Sequence, residues 1–264
     1  MRLGLIGFGN IGATLLDLMQ KAGLAPAHLA VLVRPGREAS VPETAGAVVV
    51  TSAEALLAET PDLIVECAGH AAVSEHGPVV LRAGVDMVQV SVGAMSDPAL
   101  EAQLRAAAKE GGARIVLPAG AVGGLDLLSA LSATGELQVT YRGIKPPKAW
   151  AGTPAGETLD LDTLTTREVF FRGSARDAAR AFPKNANVAA ALALAGAGFE
   201  ETQVELIADP EAPGNVHSYD VRSPVANYTM EIENLPSAGN VKTSVSTVYS
   251  VLREIRNRMN PVVI

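Results

Sequence analysis

Leu3-Gly4-Leu5-Ile6-Gly7-Phe8-Gly9-Asn10-Ile11-Gly12 reads as a short apolar strand, Leu3–Ile6, running into G-x-G-x-x-G and then a helix. Each glycine answers a steric demand. Gly7 permits the tight turn, Gly9 lets a pyrophosphate reach the backbone, and Gly12 lets helix and strand pack closely. The helix opening at Asn10 and Ile11 turns unpaired N–H groups and a positive dipole end toward the phosphates. The stretch predicts a dinucleotide-binding unit.

Working outward, Leu15, Leu18, Met19 and Ala22 continue the helix at i, i+3, i+4, i+7 spacing, and Gly23 is a natural stop. Further strand candidates are Leu29–Val33, Ala47–Val50, Leu63–Glu66, Asp86–Val90 and Arg114–Leu117. A second helix is predicted over Asp97–Lys109, capped by Asp97 with Pro98 at its first position, and Gly111-Gly112 marks its end. Short apolar runs alternating with helices indicate a parallel sheet with crossover connections.

After Gly120 the texture changes. Strand candidates Gln138–Lys145, Glu168–Phe171, Gln203–Ile207, Val216–Val221 and Tyr228–Glu233 follow in series, with helical patterns only at Ala175–Ala181 and Val188–Ala197. That predicts an α+β unit on an open sheet. A last amphipathic helix, Val241–Arg258, runs through Val245, Val248, Tyr249, Leu252 and Ile255 and is expected to return to the first domain. The expected architecture is α/β: a Rossmann-type parallel-sheet domain at 1–120 and 241–264, and an α+β domain at 121–240.

Composition removes several function classes. A net charge of −7 without any Lys/Arg block leaves no footprint for a phosphate backbone, and 4% aromatics leave no stacking platform, so nucleic acid is not an expected partner. The single cysteine, Cys67, excludes an internal disulfide and a multi-thiolate metal site. No His/Cys/Asp/Glu cluster has metal-ligand spacing, so no metal is expected. Nothing approaches the ~18–20 apolar residues of a membrane span. The N-terminal apolar run is too short for a signal-peptide core, and the expected setting is cytoplasmic.

A site selective for NAD carries Asp or Glu at the end of the second strand, about 20 residues past the glycines. Here Arg34 stands there, followed by Pro35, Gly36 and Arg37. An arginine can pair with a 2′-phosphate or stack on adenine, which keeps NAD and NADP both open. Cys67-Ala68-Gly69-His70 and Ser91-Val92-Gly93-Ala94 follow the fourth and fifth strands, where the rest of the cofactor would run. Cys67 reads as a small core residue, His70 as a helix start, and His28 and His76 as surface residues.

His217 lies in Gly214-Asn215-Val216-His217-Ser218-Tyr219-Asp220-Val221, near the start of a strand. A side chain with an ordinary pKa near ~6.5 suits removal of a proton as hydride leaves carbon. Residue type and place alone nevertheless favour a plain strand histidine. Lys184, Asn185 and Asn187 precede the Ala-rich helix. Lysine there can hold a carboxylate, and asparagine can bind a carboxamide or cap the helix. Lys145 and Lys148 read as a solvated loop.

Several blocks together resemble the L-aspartate dehydrogenase family. They are GFGNIG at Gly7–Gly12, ECAGH at Glu66–His70, PAGAVGGLD at Pro118–Asp126, FPKNANVAAALALAG at Phe182–Gly196, GNVHSYDV at Gly214–Val221 and ENLPSAGNVKTS at Glu233–Ser244. The first is shared by many oxidoreductases; the later ones, in this order, are far more specific. The resemblance covers nearly the whole chain. It implies a Rossmann domain joined to an α+β domain that supplies the substrate pocket and a homodimer interface.

The implied activity is oxidation of L-aspartate to iminoaspartate with NAD or NADP. The imine then hydrolyses to oxaloacetate and ammonia or feeds quinolinate formation in NAD biosynthesis. By matching blocks, His217 falls at the family's catalytic histidine, and Ala121 and Asn187 at its cofactor contacts. With Gly7, Gly9, Asn10, Ile11, Gly12, Arg34, Cys67, Ala68 and Gly69 they make up the expected cofactor site. Lys184 is the expected carboxylate donor, with Ser218 and Thr243 as weaker ones. Two other readings compete: a related two-domain dehydrogenase acting on homoserine or a sugar, and a redox sensor that binds NAD(H) without turnover.

Overall fold

β1 (Arg2–Ile6) pairs in parallel with β2 (His28–Leu32) on one side and β4 (Leu63–Glu66) on the other, which puts the strand before the glycine loop inside a sheet. β3 (Val48–Val50), β5 (Met87–Gln89) and β6 (Ile115–Val116) complete the order β3-β2-β1-β4-β5-β6, with every pair parallel. The crossovers carry α1 (Asn10–Lys21), α2 (Ala53–Ala58), α3 (His70–Arg82) and α4 (Pro98–Gly111). Asp97 caps α4 by accepting from the Ala99 N–H (2.9 Å), and Gly112 ends it at φ +67°. The short α2 leaves no periodic signal in sequence; Ser52 caps it through the Ala55 N–H at 3.2 Å.

The structure is a computed structural model and describes residues 1–235 and 244–263. These fall into two compact units, Met1–Pro118 with Val248–Ile264, and Ala119–Thr247.

The second unit holds the five-stranded sheet β11-β10-β7-β9-β8, formed by β7 (Gln138–Lys145), β8 (Glu168–Ser174), β9 (Gln203–Ala208), β10 (Asn215–Arg222) and β11 (Asn227–Asn234). β7 and β9 are parallel and the other pairs antiparallel. Its helices are α5 (Leu125–Ser132), α6 (Ala155–Thr158), α7 (Ala175–Ala181), α8 (Asn187–Ala195) and α9 (Gly198–Glu201). Ala189 to Ala193 of α8 are all buried, as expected for a helix that is apolar all round. α7 starts with a capping box in which Ser174 and Asp177 satisfy each other's backbone N–H.

Alternation along the strands decides which side chains share a face. His217 pairs with Gly143 and Tyr219 with Tyr141, so these residues and Lys145 lie on one face. Arg142, Ser218, Asp220 and Glu205 lie on the other. There Arg142 joins Asp220 to Glu205, and the Thr229 hydroxyl donates to Asp220 at 2.6 Å.

The last helix, α10 (Val245–Met259), buries Val248, Val251, Leu252 and Ile255 in the same core as Leu3, Leu5, Leu15 and Val31. Tyr249, expected on the buried stripe, is 54% exposed; Val251 fills that position instead, because i, i+3, i+4, i+7 from Val248 passes through it. Residues 241–243 of the expected helix lie outside the described residues.

Candidate active site

The glycine loop is built against two neighbours. The Gly7 N–H donates to the Leu32 carbonyl at the end of β2 (2.8 Å). On the other side, a Cβ on Gly7, whose φ is +93°, would sit 2.7 Å from the Ala68 Cβ. A Cβ on Gly12 would press on the Gly7 carbonyl at 3.2 Å, whereas at Gly9 nothing lies within 4 Å. Gly9 also stands at the N-cap of α1, where no side chain accepts from the first-turn N–H groups. Close packing at two glycines and open space at the third fit a pyrophosphate over Gly9, Asn10 and Ile11. A cavity of about 340 Å³ follows, bounded by Gly7, Gly9, Arg34, Arg37, Cys67 and Ala68.

A buried carboxylate that sequence reading overlooked organises the next two loops. Glu66, the last residue of β4, is fully buried and accepts from the Ala68 N–H (2.8 Å), the Gly69 N–H (2.8 Å), the Ser91 N–H (3.0 Å) and the Ser91 hydroxyl (3.0 Å). Burial pushes its carboxyl upward while these donors pull it back. Because the Ala68 and Gly69 N–H groups are taken, Ala68 can meet a ligand through shape and not as a donor; Gly69, at φ +125°, is the N-cap of α3. The Cys67 thiol donates to the Gly7 carbonyl at 3.4 Å, and burial pushes it up to about 12, which makes it a packing residue.

Two histidines are not the surface residues the sequence suggested. His76 is 9% exposed and borders the cavity at the glycine loop, and the half-buried His28 pairs through Nε2 with Glu59 Oε2 at 2.8 Å. His70 does begin α3.

In the second unit, His217 is buried and its Nδ1 lies 2.8 Å from the Tyr141 hydroxyl. Burial, aided by the charge of Lys145, lowers the imidazole pKa to about 4, so the ring is neutral near pH 7. Lys145 is no solvated loop residue. Its Nζ donates to Asn185 Oδ1 at 2.7 Å and lies 4.7 Å from the centre of the Trp150 ring, and burial lowers its pKa to about 8. The Trp150 indole in turn donates to the Ile207 carbonyl at 3.0 Å. Gly143 leaves room for this group: a Cβ there would lie 2.9 Å from the Tyr141 hydroxyl.

The loop 119–124 is held to the same sheet. Tyr219 donates to the Gly123 carbonyl at 2.7 Å, and Asn234 Nδ2 donates to the Ala121 carbonyl at 3.1 Å. Asn187 is the first residue of α8, with Ala186 at the N-cap and no side-chain cap, so the capping role is not realised. Lys184 is exposed in the single 3-10 turn Pro183–Asn185, whereas the half-buried Lys145 lies on the His217 face. Ser218 is corrected too, since alternation turns it to the face opposite His217. Thr243 lies outside the described residues. Among the described residues no group of three His, Cys, Asp or Glu could hold a metal ion, and no helix is long and apolar enough to cross a membrane.

Tyr141 and Lys145 leave no local signal because their partners, His217 and Asn185, are distant in the chain; Glu66 ties the adjacent Ala68 and Gly69 to the distant Ser91. Strand alternation around His217 was the one signal that could have led to Tyr141.

A parallel sheet in this strand order, with the glycine loop after its first strand, defines a dinucleotide-binding protein of the Rossmann class. Comparison with known proteins narrows the class. Residues 7–118 match the family described as homoserine dehydrogenase, NAD binding domain, and residues 126–258 match aspartate dehydrogenase, C-terminal. An L-aspartate dehydrogenase of Cupriavidus necator is 42% identical, covering 99% of both chains. One of Ruegeria pomeroyi is 44% identical over 98% of this chain and 92% of its own. The crystal structure of an aspartate dehydrogenase from Thermotoga maritima superposes with a TM-score of 0.80 at 30% identity, covering 100% of this chain and 99% of that one. The chain belongs to the aspartate dehydrogenase family.

Proposed function

We propose that the protein oxidises L-aspartate to iminoaspartate with NAD or NADP, and that His217 is the acid/base. The imine is then hydrolysed to oxaloacetate and ammonia or passed on to quinolinate formation. The observation that carries the reading is the buried, neutral imidazole of His217, engaged through Nδ1 by Tyr141 on the face that also bears Lys145.

When bound, the nicotinamide supplies a hydride-accepting carbon, C4. Only the free amine of aspartate can drive hydride from Cα, so the substrate ammonium must first lose a proton. In the base-competent tautomer the Nδ1–H of His217 donates to the Tyr141 oxygen, and Nε2 takes the substrate proton directly or through a water. Lys145, fixed by Asn185, holds a substrate carboxylate. The negative charge of bound aspartate offsets that of Lys145 and raises the basicity of His217 when it is needed. By the family relationship Ala121 and Asn187 would contact the cofactor, and the Asn234 bond to the Ala121 carbonyl fixes that loop. The family relationship further supports a homodimer working in the cytoplasm.

The test is NAD(P)H absorbance with each cofactor across L-aspartate, D-aspartate, L-glutamate, L-homoserine and L-malate. A signal confined to L-aspartate is expected. Turnover of homoserine instead, or silence across the panel with cofactor binding intact, would overturn the assignment.

A further inference from the structure

The chain beyond β2 makes a tight turn whose purpose the reaction itself does not explain. The Arg37 N–H donates to the Arg34 carbonyl at 3.0 Å, closing the four-residue turn Arg34-Pro35-Gly36-Arg37. Proline at its second position and glycine at φ +79° at its third are what a type II turn demands. Such a turn brings its first and last Cα within about 7 Å, so the two guanidinium groups start from neighbouring points. The Ser40 hydroxyl braces it by donating to the Arg37 carbonyl at 2.6 Å.

Arg34, Arg37 and Ser40 all line the cavity that begins at the glycine loop, and the Gly7 N–H bond to Leu32 sets that loop directly beside the end of β2. Both arginines are exposed, and among the described residues neither has an ion-pair partner. The one carboxylate lining the cavity is Glu75, 72% exposed on α3 and 3.9 Å from His76 Nε2. Two cations against one solvated anion leave the pocket end positive within a chain whose net charge is −7. No Asp or Glu occupies the end of β2, where a carboxylate would accept from the ribose 2′-hydroxyl and repel a phosphate.

We propose that Arg34 and Arg37 form a 2′-phosphate site, so that this protein binds NADP in preference to NAD. The inference rests on the dinucleotide reading above and deepens it. A dianionic phosphate between two guanidinium forks gains charge-assisted hydrogen bonds that a hydroxyl cannot make.

The experiment is titration of the full-length protein with NADPH and with NADH, followed by nucleotide fluorescence, and calorimetry with 2′,5′-ADP and 5′-AMP. NADPH should bind about 10-fold tighter or more, the worth of one good charge-assisted hydrogen bond. The preference should weaken with added salt. In Arg34→Ser/Arg37→Ser the ratio of the two dissociation constants should fall to near one, and Arg34→Glu should invert it. Circular dichroism melting checks that each variant is folded. Equal affinities in the wild type, or a preference that survives the double substitution, would overturn the inference while leaving dinucleotide binding in place. Failure to bind either nucleotide would instead overturn the dinucleotide reading itself.

Discussion

The Tyr141 hydroxyl lies 2.8 Å from Nδ1 of His217, and the two rings stack at 24° with centroids 6.0 Å apart. The contact crosses adjacent strands, and Gly143 keeps the space between them clear. The Tyr141 oxygen can accept from Nδ1–H, and in that tautomer Nε2 is left as the base. His217→Ala should therefore cut turnover by roughly 10²–10⁴-fold. Tyr141→Phe should cut kcat by about 10-fold, the worth of one buried hydrogen bond, with a smaller change in KM. A Tyr141→Phe enzyme with normal kcat and only a lower melting temperature would reduce Tyr141 to packing.

The pH dependence follows from the two depressed values. His217, at about 4, is neutral across the physiological range, so the acid limb of kcat/KM should lie near 4 and not near the ordinary histidine value. In the kcat profile that limb should move upward, because bound aspartate adds negative charge. Lys145 loses its proton above about 8, so KM for aspartate should rise on the alkaline side. Lys145→Met should raise KM by about 10- to 100-fold and shift the acid limb of kcat/KM upward by removing a nearby positive charge. An unmoved limb in that variant would separate Lys145 from His217.

Glu66 meets four donors from two loops, so Glu66→Ala should strand buried N–H groups and cost about 2–4 kcal/mol of stability. Nucleotide affinity should fall with it, since Ala68 borders the cofactor cavity. Chemical denaturation and nucleotide titration of the same sample measure both. A variant as stable as the wild type would mean that the loops hold themselves.

Asp86 should make the first unit acid-sensitive. Burial alone would raise its carboxyl, but hydrogen bonds from the Arg114 side chain (2.8 Å) and backbone N–H (2.7 Å), with the Arg258 guanidinium at 2.6 Å, hold it below the ordinary carboxylate value. A depressed folded pKa adds stability that is complete above the unfolded value of about 3.9 and is lost as pH falls through the folded one. Asp86→Asn should cost about 1–2 kcal/mol at neutral pH, and the gap to wild type should close in acid. Denaturation curves at neutral and acid pH decide it; a gap that stays constant would mean that charge is not what matters there.

The strands of the parallel sheet were readable to within a residue or two because their period and glycine stops are local properties. Gln138–Lys145 and Ala175–Ala181 match the observed elements at both ends for the same reason. His217 was found by its block and not by its surroundings, since the Tyr141 contact spans 76 positions. Lys145 is legible as a strand end, but Pro146 and Pro147 after it suggest solvent, and nothing beside it in sequence marks it as a site residue. Its Nζ is fixed by Asn185, 40 positions away, and lies over the nearby Trp150 ring, a contact that no local pattern marks.

β10 carries His217 and, two positions on, the Tyr219 that holds the Gly123 carbonyl. One strand thus sets both the proposed base and the loop bearing Ala121, and a slip of a single residue would turn both side chains to the wrong face at once. What resists the slip lies on the far side of the sheet, where Arg142, Glu205, Asp220 and Thr229 lock β10 to its neighbours without touching the His217 face. That charged lattice acts as an index pin for the chemistry: disturbing it would misalign a reaction centre that it never meets.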